Sequence, residues 1–167
     1  MSKTKTTVTI TVNGDVYRLG VGNAAGDISP ADTLAETLRE RLLLTGTKIS
    51  CDDGACGCCT VILNGKAVPS CTILTVECDG ADIQTIEGLQ NPRTGELDEV
   101  QQAFVDHSAF QCGYCTPGII MASEALLQEN PHPDEDEIKE ALAGNYCRCI
   151  SHYQVLEAVK QAAERRK

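Results

Sequence analysis

The 167-residue sequence contains no tryptophan, two phenylalanines and 4% aromatic residues in all. So little ring surface leaves almost nothing to stack on a nucleobase or a flavin, so the chemistry is expected to come from bound inorganic groups. Basic residues are scarce as well: 14 Lys and Arg stand against 24 Asp and Glu, a formal charge of −10. A chain of that sign has no grip on a phosphate backbone, and its only basic run, Arg165-Arg166-Lys167, suits a solvated helix end. Long apolar runs are missing too. The longest uncharged stretch, Ala109 to Ser123, is interrupted by Gly and Pro and is too short to span a bilayer, so no transmembrane helix is expected. No charged segment followed by an apolar one opens the chain, and no twin-arginine pair lies near its start. The expected location is therefore cytoplasmic. There is no internal repeat and no low-complexity stretch.

What the sequence has in quantity is cysteine, ten residues of it. In a reducing compartment closely spaced cysteines bind metal more often than they pair. Cys51, Cys56 and Cys59 are spaced C-x4-C-x2-C, and Cys71 follows twelve residues later. Four thiolates in that order can close on one 2Fe-2S cluster, because each iron needs two sulfur ligands; the spacing is that of plant-type ferredoxins. Gly54 and Gly57 let the loop turn tightly and bring its N–H groups up to the cluster sulfurs. Cys58, inside the same loop, is a rival to Cys59 as third ligand, and the x2 spacing favours Cys59.

Two further pairs are Cys112-Gly113-Tyr114-Cys115 and Cys147-Arg148-Cys149. Each precedes a predicted helix N-terminus, where free N–H groups and the helix dipole stabilise thiolates and a negatively charged cluster. A structural zinc site and a redox-active C-x-x-C disulfide compete with this reading, although C-x-C is uncommon among zinc spacings. Cys78 reads as a small buried hydrophobe. His107, His132 and His152 read as surface or helix-end residues, since eight cysteines already satisfy two clusters. The acidic run Asp134-Glu135-Asp136-Glu137 reads as N-terminal helix charge.

The remaining pattern is α+β. Thr6 to Val12 alternates Thr with Val and Ile as a half-buried strand does, Asn13-Gly14 signals a hairpin, and Asp15 to Val21 returns. A helix capped by Ser29 or Asp32 is predicted to run through Leu34, Leu38 and Leu42 to Gly46. After the cysteine loop come strands at Thr60 to Leu63 and Lys66 to Val68 around Asn64-Gly65, then Ile83 to Ile86. This is a β-grasp unit over residues 1–88. Residues 89–97, with Asn91-Pro92-Arg93-Thr94-Gly95, read as a linker. Residues 98–167 read as a four-helix bundle: Asp98 to Ser108, a helix capped by Thr116 with Pro117 at its first position, one from Asp134 to Gly144, and one from about Ser151 to the end.

Taken together, Cys51-x4-Cys56-Gly57-x-Cys59-Thr60-Val61, Ser70-Cys71, Gln111-Cys112-Gly113-Tyr114-Cys115-Thr116-Pro117-Gly118 and Gly144-Asn145-Tyr146-Cys147-Arg148-Cys149 resemble the iron-sulfur small subunit of the molybdenum hydroxylases, the xanthine dehydrogenase family. Residues 112 to 149 are similar to those of 4-hydroxybenzoyl-CoA reductase. The resemblance implies a plant-type ferredoxin-like domain whose 2Fe-2S cluster is held by Cys51, Cys56, Cys59 and Cys71. It implies a helical domain with a second 2Fe-2S cluster on Cys112, Cys115, Cys147 and Cys149, and Gln111 and Cys149 at positions that contact the pterin of a partner. The implied role is electron transfer between a molybdopterin-bearing large subunit and an FAD-bearing or other redox subunit, with no substrate site of its own. A non-enzymatic metal-binding sensor or interaction protein is the alternative. The chain departs from the family pattern in a longer stretch over residues 19 to 30, in Ser50 and Cys58, and in Cys149-Ile150-Ser151-His152, where Cys-Thr-Gly-Tyr is common.

Overall fold

A computed structural model describes residues 6–166, so the expected loose tail over residues 1–5 lies outside the described residues. Strands β1 (Thr6–Val12) and β2 (Asp15–Val21) form an antiparallel hairpin. Its turn residues Asn13 and Gly14 have φ of 52° and 87°, the pair of positive values that a type I′ turn requires. Strands β3 (Thr60–Leu63) and β4 (Lys66–Pro69) form the second hairpin, around Asn64-Gly65. Strand β5 (Asp82–Gln84) lies between them, parallel to β1 and antiparallel to β3, giving the order β2-β1-β5-β3-β4. The expected strand at Ile83 to Ile86 is thus displaced towards the N-terminus. Asn13 is the cause: its side chain accepts from Thr85 N (2.8 Å) and donates to Thr85 Oγ1 (2.9 Å), pulling the chain off the sheet.

The helix that covers this sheet starts as α1 (Leu34–Glu36) and continues as a π turn over Thr37–Arg41. Its cap is Thr33, in a reciprocal capping box with Glu36; Asp32 instead accepts from Ser29 N at 2.9 Å. It stops well short of Gly46. Leu43 takes a left-handed φ of 59°, and Arg39 donates to the carbonyls of Thr45 and Thr47, turning the chain back across the helix end. Val8, Ile10, Val12, Leu34, Leu38, Val61 and Ile83 make the core. The long stretch after β2 folds back beside it, with Ile28 N donating to Gly20 O and Gly22 N to Ile28 O.

The second half contains α2 (Glu99–Asp106), α3 (Thr116–Glu129), α4 (Glu135–Ala141) and α5 (His152–Arg165). Val100, Phe104, Ile119, Leu127, Ile138, Val155 and Val159 fill their common core. Capping boxes start α2 (Asp98 with Gln101) and α4 (Asp134 with Glu137), so the acidic run does cap a helix; Glu135 also pairs with Lys160 of α5. Helix α4 ends at Ala141 rather than Gly144, which frees residues 142–151 to form the loop that carries Cys147 and Cys149. The two halves share a small apolar cluster, Ile62 of β3 against Met121 and Ala125 of α3. Among the described residues no helix is long and apolar enough to cross a membrane.

The end of α5 is fastened by Arg166, which pairs with Glu124 of α3 and, at 3.4 Å, with Asp98, the cap of α2. Glu99 lies 4.0 Å away from the same guanidinium. Burial pushes the Asp98 carboxyl up to about 6, the Glu124 carboxylate adds to the rise, and Arg166 and the Gln101 N–H oppose it. An acid whose folded pKa lies above its unfolded value makes the fold less stable as pH rises from about 4 to about 6. Asp98→Asn keeps a capping side chain and removes that ionisation. Thermal unfolding is expected to favour the variant more at pH 7 than at pH 4; identical pH profiles for the two proteins would refute this assignment.

Candidate functional site

The first cysteine set lies in an irregular loop between the end of the α1 segment and β3. Three residues of that loop, Asp52, Gly54 and Gly57, have positive φ values of 60°, 81° and 68°, which wind it tightly enough to gather its thiols. The Cys51 thiol and the Ala55 N–H hold Asp53 below the usual carboxylate range. Cys71 arrives from beyond β4 in a short 3-10 turn, Ser70–Thr72. Ser70 fixes it there by donating its hydroxyl (2.6 Å) and its N–H (3.3 Å) to Cys59 O. Cys59 and Cys71 are buried together against Ala35 and Ile49.

The surroundings treat these thiols unequally. Burial raises Cys56, but the N–H groups of Cys58 and Cys51 and the neighbouring thiols outweigh it and lower Cys56 to about 7. Burial pushes Cys71 up to about 12 against the pull of the Gly54 N–H, and pushes Cys58 to about 12 as well. Backbone N–H groups of Cys51, Gly54 and Cys58 thus favour the charged form of the thiols they act on.

The second set is built on the entrances of α3 and α5. Cys115 is the N-cap residue of α3 and Thr116 its first helical residue, so the helix starts one position earlier than the expected capping by Thr116. Neither α3 nor α5 has a side-chain cap, whereas α1, α2 and α4 each have a capping box. The amides at the start of α5 turn to sulfur: Cys149 N and Ile150 N donate to Cys147 Sγ at 3.4 and 3.5 Å. The Cys112 and Cys149 sulfurs are 3.7 Å apart, and Cys115 interacts with Cys147. Burial pushes Cys115 up to about 12; Cys147 is lowered despite its burial, by the Cys115 thiol and those two amides. All ten cysteines are free thiols.

Hydrogen bonds and one close approach join the two loops. Tyr146 N donates to Cys56 O at 2.9 Å, Asn145 Nδ2 to Gly57 O at 3.0 Å, and Tyr114 OH to Ile49 O at 2.5 Å. A Cβ on Gly118, in the first turn of α3, would sit 2.1 Å from Gly57 O. Only glycine admits this approach. Asn145, Tyr114 and Gly118 lie within the cysteine motifs of the sequence, but their linking roles depend on partners about 60 to 90 residues away. Gln111, Cys112 and Cys149 are exposed at the outer edge of the second set. Cys78 is buried and donates to Leu74 O (3.6 Å), His107 caps the end of α2, and His132 and His152 are exposed.

Among the described residues, no group of three or more His, Cys, Asp or Glu could hold a single metal ion. A 2Fe-2S cluster asks for a different arrangement, four sulfurs around a rhomb of two irons and two sulfides. Two sets of four thiols, served by loop amides and by uncapped helix starts, suit two such clusters.

Residues 24–85 match the 2Fe-2S iron-sulfur cluster binding domain family, and residues 85–160 match the [2Fe-2S] binding domain family. The nicotine 6-hydroxylase small subunit of Paenarthrobacter nicotinovorans is 44% identical over 135 residues, covering 81% of this chain and 80% of its own. The chain belongs to the iron-sulfur small subunits of the molybdenum hydroxylase family. Among solved structures, quinoline 2-oxidoreductase from Pseudomonas putida 86 superposes with a TM-score of 0.87 at 36% identity over 98% of both chains. The aldehyde oxidoreductase from Desulfovibrio desulfuricans ATCC 27774 gives 0.85 at 39% identity, over 94% of this chain and 17% of that longer one. As a member of this family the chain is the two-cluster electron-transfer subunit of an oxidoreductase complex, with a ferredoxin-like unit followed by a helical one. These relatives do not favour the alternative of a non-enzymatic sensor.

Proposed function

We propose that Cys51, Cys56, Cys59 and Cys71 hold one 2Fe-2S cluster and Cys112, Cys115, Cys147 and Cys149 the other, with the boundary between the two units in residues 89–97. In this reading the chain works in the cytoplasm, between a molybdopterin-bearing large subunit and an FAD-bearing medium subunit or other redox partner. The observation that carries it is the line of contacts from one set to the other, Tyr146 N to Cys56 O above all. Each set also has an exposed edge, at Ser50, Asp52 and Asp53 around the half-buried Cys51 and at residues 111–112 and 148–149.

When bound, each cluster supplies a one-electron centre, so two in one chain divide the electron pair of molybdenum chemistry into single steps. The chain's own residues set the surroundings. Amides of Cys149 and Ile150 on Cys147, and of Gly54 on Cys71, supply donors, while burial of Cys59, Cys71 and Cys115 keeps water away. At the outer end, Gln111 and Cys149 are assigned to the pterin. An apolar groove of about 300 Å³, lined by Ile86, Leu97, Val105, Phe110, Pro117 and Ile120 and so reaching the residue before Gln111, suits burial under the large subunit.

Low-temperature electron paramagnetic resonance of the reduced protein, purified anaerobically with whatever accompanies it, tests the reading. Two distinct 2Fe-2S signals with a molybdenum signal are expected, and a silent sample containing zinc would end it. Cys149→Ser should disturb the second signal and its coupling to molybdenum while sparing the first. An unaltered second signal would remove Cys149 from the ligand set.

A further inference from the structure

Asn145 joins the two cysteine sets through its side chain. It stands two residues before Cys147 and is tied to the helical half by its own N–H, which donates to Leu142 O at 2.9 Å just beyond α4. From there its amide crosses to the first loop and donates to Gly57 O at 3.0 Å, between Cys56 and Cys59. The acceptor decides which end of the amide faces it, since a carbonyl takes only a donor. Gly57 O also accepts from Thr60 N (3.2 Å) and Thr60 Oγ1 (2.7 Å), but those two bonds close a turn within the first loop. The amide nitrogen lies 3.4 Å from Thr60 Oγ1 as well. Tyr114, the other side chain that joins the two sets, reaches Ile49, two residues outside the first set.

Little packing supports this crossing. Asn145 lines two clefts, one of about 660 Å³ shared with Ala55, Tyr146 and His152, and one of about 160 Å³ shared with Gly54 and Thr60. Where the loops touch, backbone meets backbone: a Cβ on Gly57 would lie 2.5 Å from Gly144 O and 3.0 Å from Asn145 Cα. No side chain interlocks there, so hydrogen bonds hold the first loop in register.

We propose that Asn145 is a positioning residue that registers the turn from Cys56 to Cys59 against Cys147 and thereby sets the rate at which an electron crosses between the two clusters. Its bond to Gly57 O and the neighbouring bond from Tyr146 N to Cys56 O (2.9 Å) grip successive carbonyls. Two bonds one residue apart fix orientation as well as distance, whereas one alone leaves the loop free to pivot. The transfer moves one electron from the reduced cluster to the oxidised one and makes or breaks no bond. Its rate therefore depends on the two potentials and on how the sets are placed, and Asn145, which touches no sulfur, acts on the placement.

This inference rests on the ligand assignment proposed above, and one experiment separates the two. The full chain with its accompanying partners would be compared with Asn145→Leu, which keeps the branched shape without a donor, with Asn145→Ala, and with Thr60→Val. The last removes a bond to the same carbonyl from within the first loop. Electron paramagnetic resonance reads the potentials and the magnetic interaction between the reduced clusters, and flash reduction by a photo-excited dye reads how fast one electron redistributes. Both Asn145 variants are expected to keep both signals and both potentials. Their magnetic interaction should weaken and the redistribution should slow about tenfold, the lower end of the loss when a residue that orients metal ligands is removed. Thr60→Val should match wild type. Wild-type interaction and rate in both Asn145 variants, even with a lowered melting temperature, would overturn the inference and leave the ligand assignment standing, as would a Thr60→Val variant slowed equally. Loss of the first signal from both Asn145 variants would make the residue part of what retains the cluster and also overturn the inference. A wild-type protein lacking either signal would overturn both.

Discussion

Gly118→Ala is expected to destabilise the protein by about 3 kcal/mol, the upper part of the range for overpacking, and to part the two cysteine sets. The added Cβ would lie 2.1 Å from Gly57 O and 3.0 Å from two backbone atoms of Cys58. None of these is the end of a flexible side chain, so the clash cannot be relieved by a rotamer change. The first turn of α3 would have to retreat, and it carries Cys115 with it. That movement strains the Asn145–Gly57, Tyr146–Cys56 and Tyr114–Ile49 hydrogen bonds at once. Gly144→Ala is the matched control, because a Cβ there meets nothing within 4 Å, and surface changes of that kind stay within about 0.5 kcal/mol. Thermal unfolding of the loaded protein reads the stability, and the magnetic interaction between the two reduced clusters reads the separation. Equal melting of the two variants would show that the halves do not meet as described.

Arg166→Ala is expected to cost more, about 3–5 kcal/mol, the range for removing one member of a buried ion pair. Asp98 and Glu124 have side chains only 13% and 7% exposed, and the guanidinium is the cation between them. Without it two carboxylates confront each other in a dry setting, and Asp98, already raised to about 6 by burial, would rise further. The damage should therefore shrink as pH falls and the carboxyls take up protons. Arg166→Lys should recover part of the loss, since a point charge replaces a fork of donors. Denaturant unfolding at pH 7 and pH 5 checks both statements; a loss below about 1 kcal/mol at pH 7 would mean that solvent already screens the triad.

Helix caps and hairpin turns follow from residues a few positions apart, and most of them were legible. Asn13-Gly14 and Asn64-Gly65 place their hairpins, Asp98 and Asp134 start their helices, and the cysteine spacings mark both sets. Two elements differ from expectation, one through a local competitor and one through a distant contact. Ser29 and Asp32 are plausible caps by type, but the Thr33–Glu36 box takes the position. The predicted strand at Ile83 to Ile86 ends early because Asn13, some 70 residues away, takes hold of Thr85.

The order of residues by itself determined the α+β arrangement of units, the cysteine spacings on which the two proposed ligand sets rest and the helix starts beside the second of them, because propensity, capping and spacing act over a few bonds. Only the tertiary structure decided which way each cysteine faces and how the groups meet. Cys58 and Cys59 are identical in chemistry and adjacent in sequence, yet one packs into the helical core and the other beside Cys71. The need for glycine at 118 and the pairing of Arg166 with Asp98 and Glu124 arise the same way. Each depends on surfaces brought together from positions about 40 to 70 residues apart, and such surfaces exist only once the chain between them has folded.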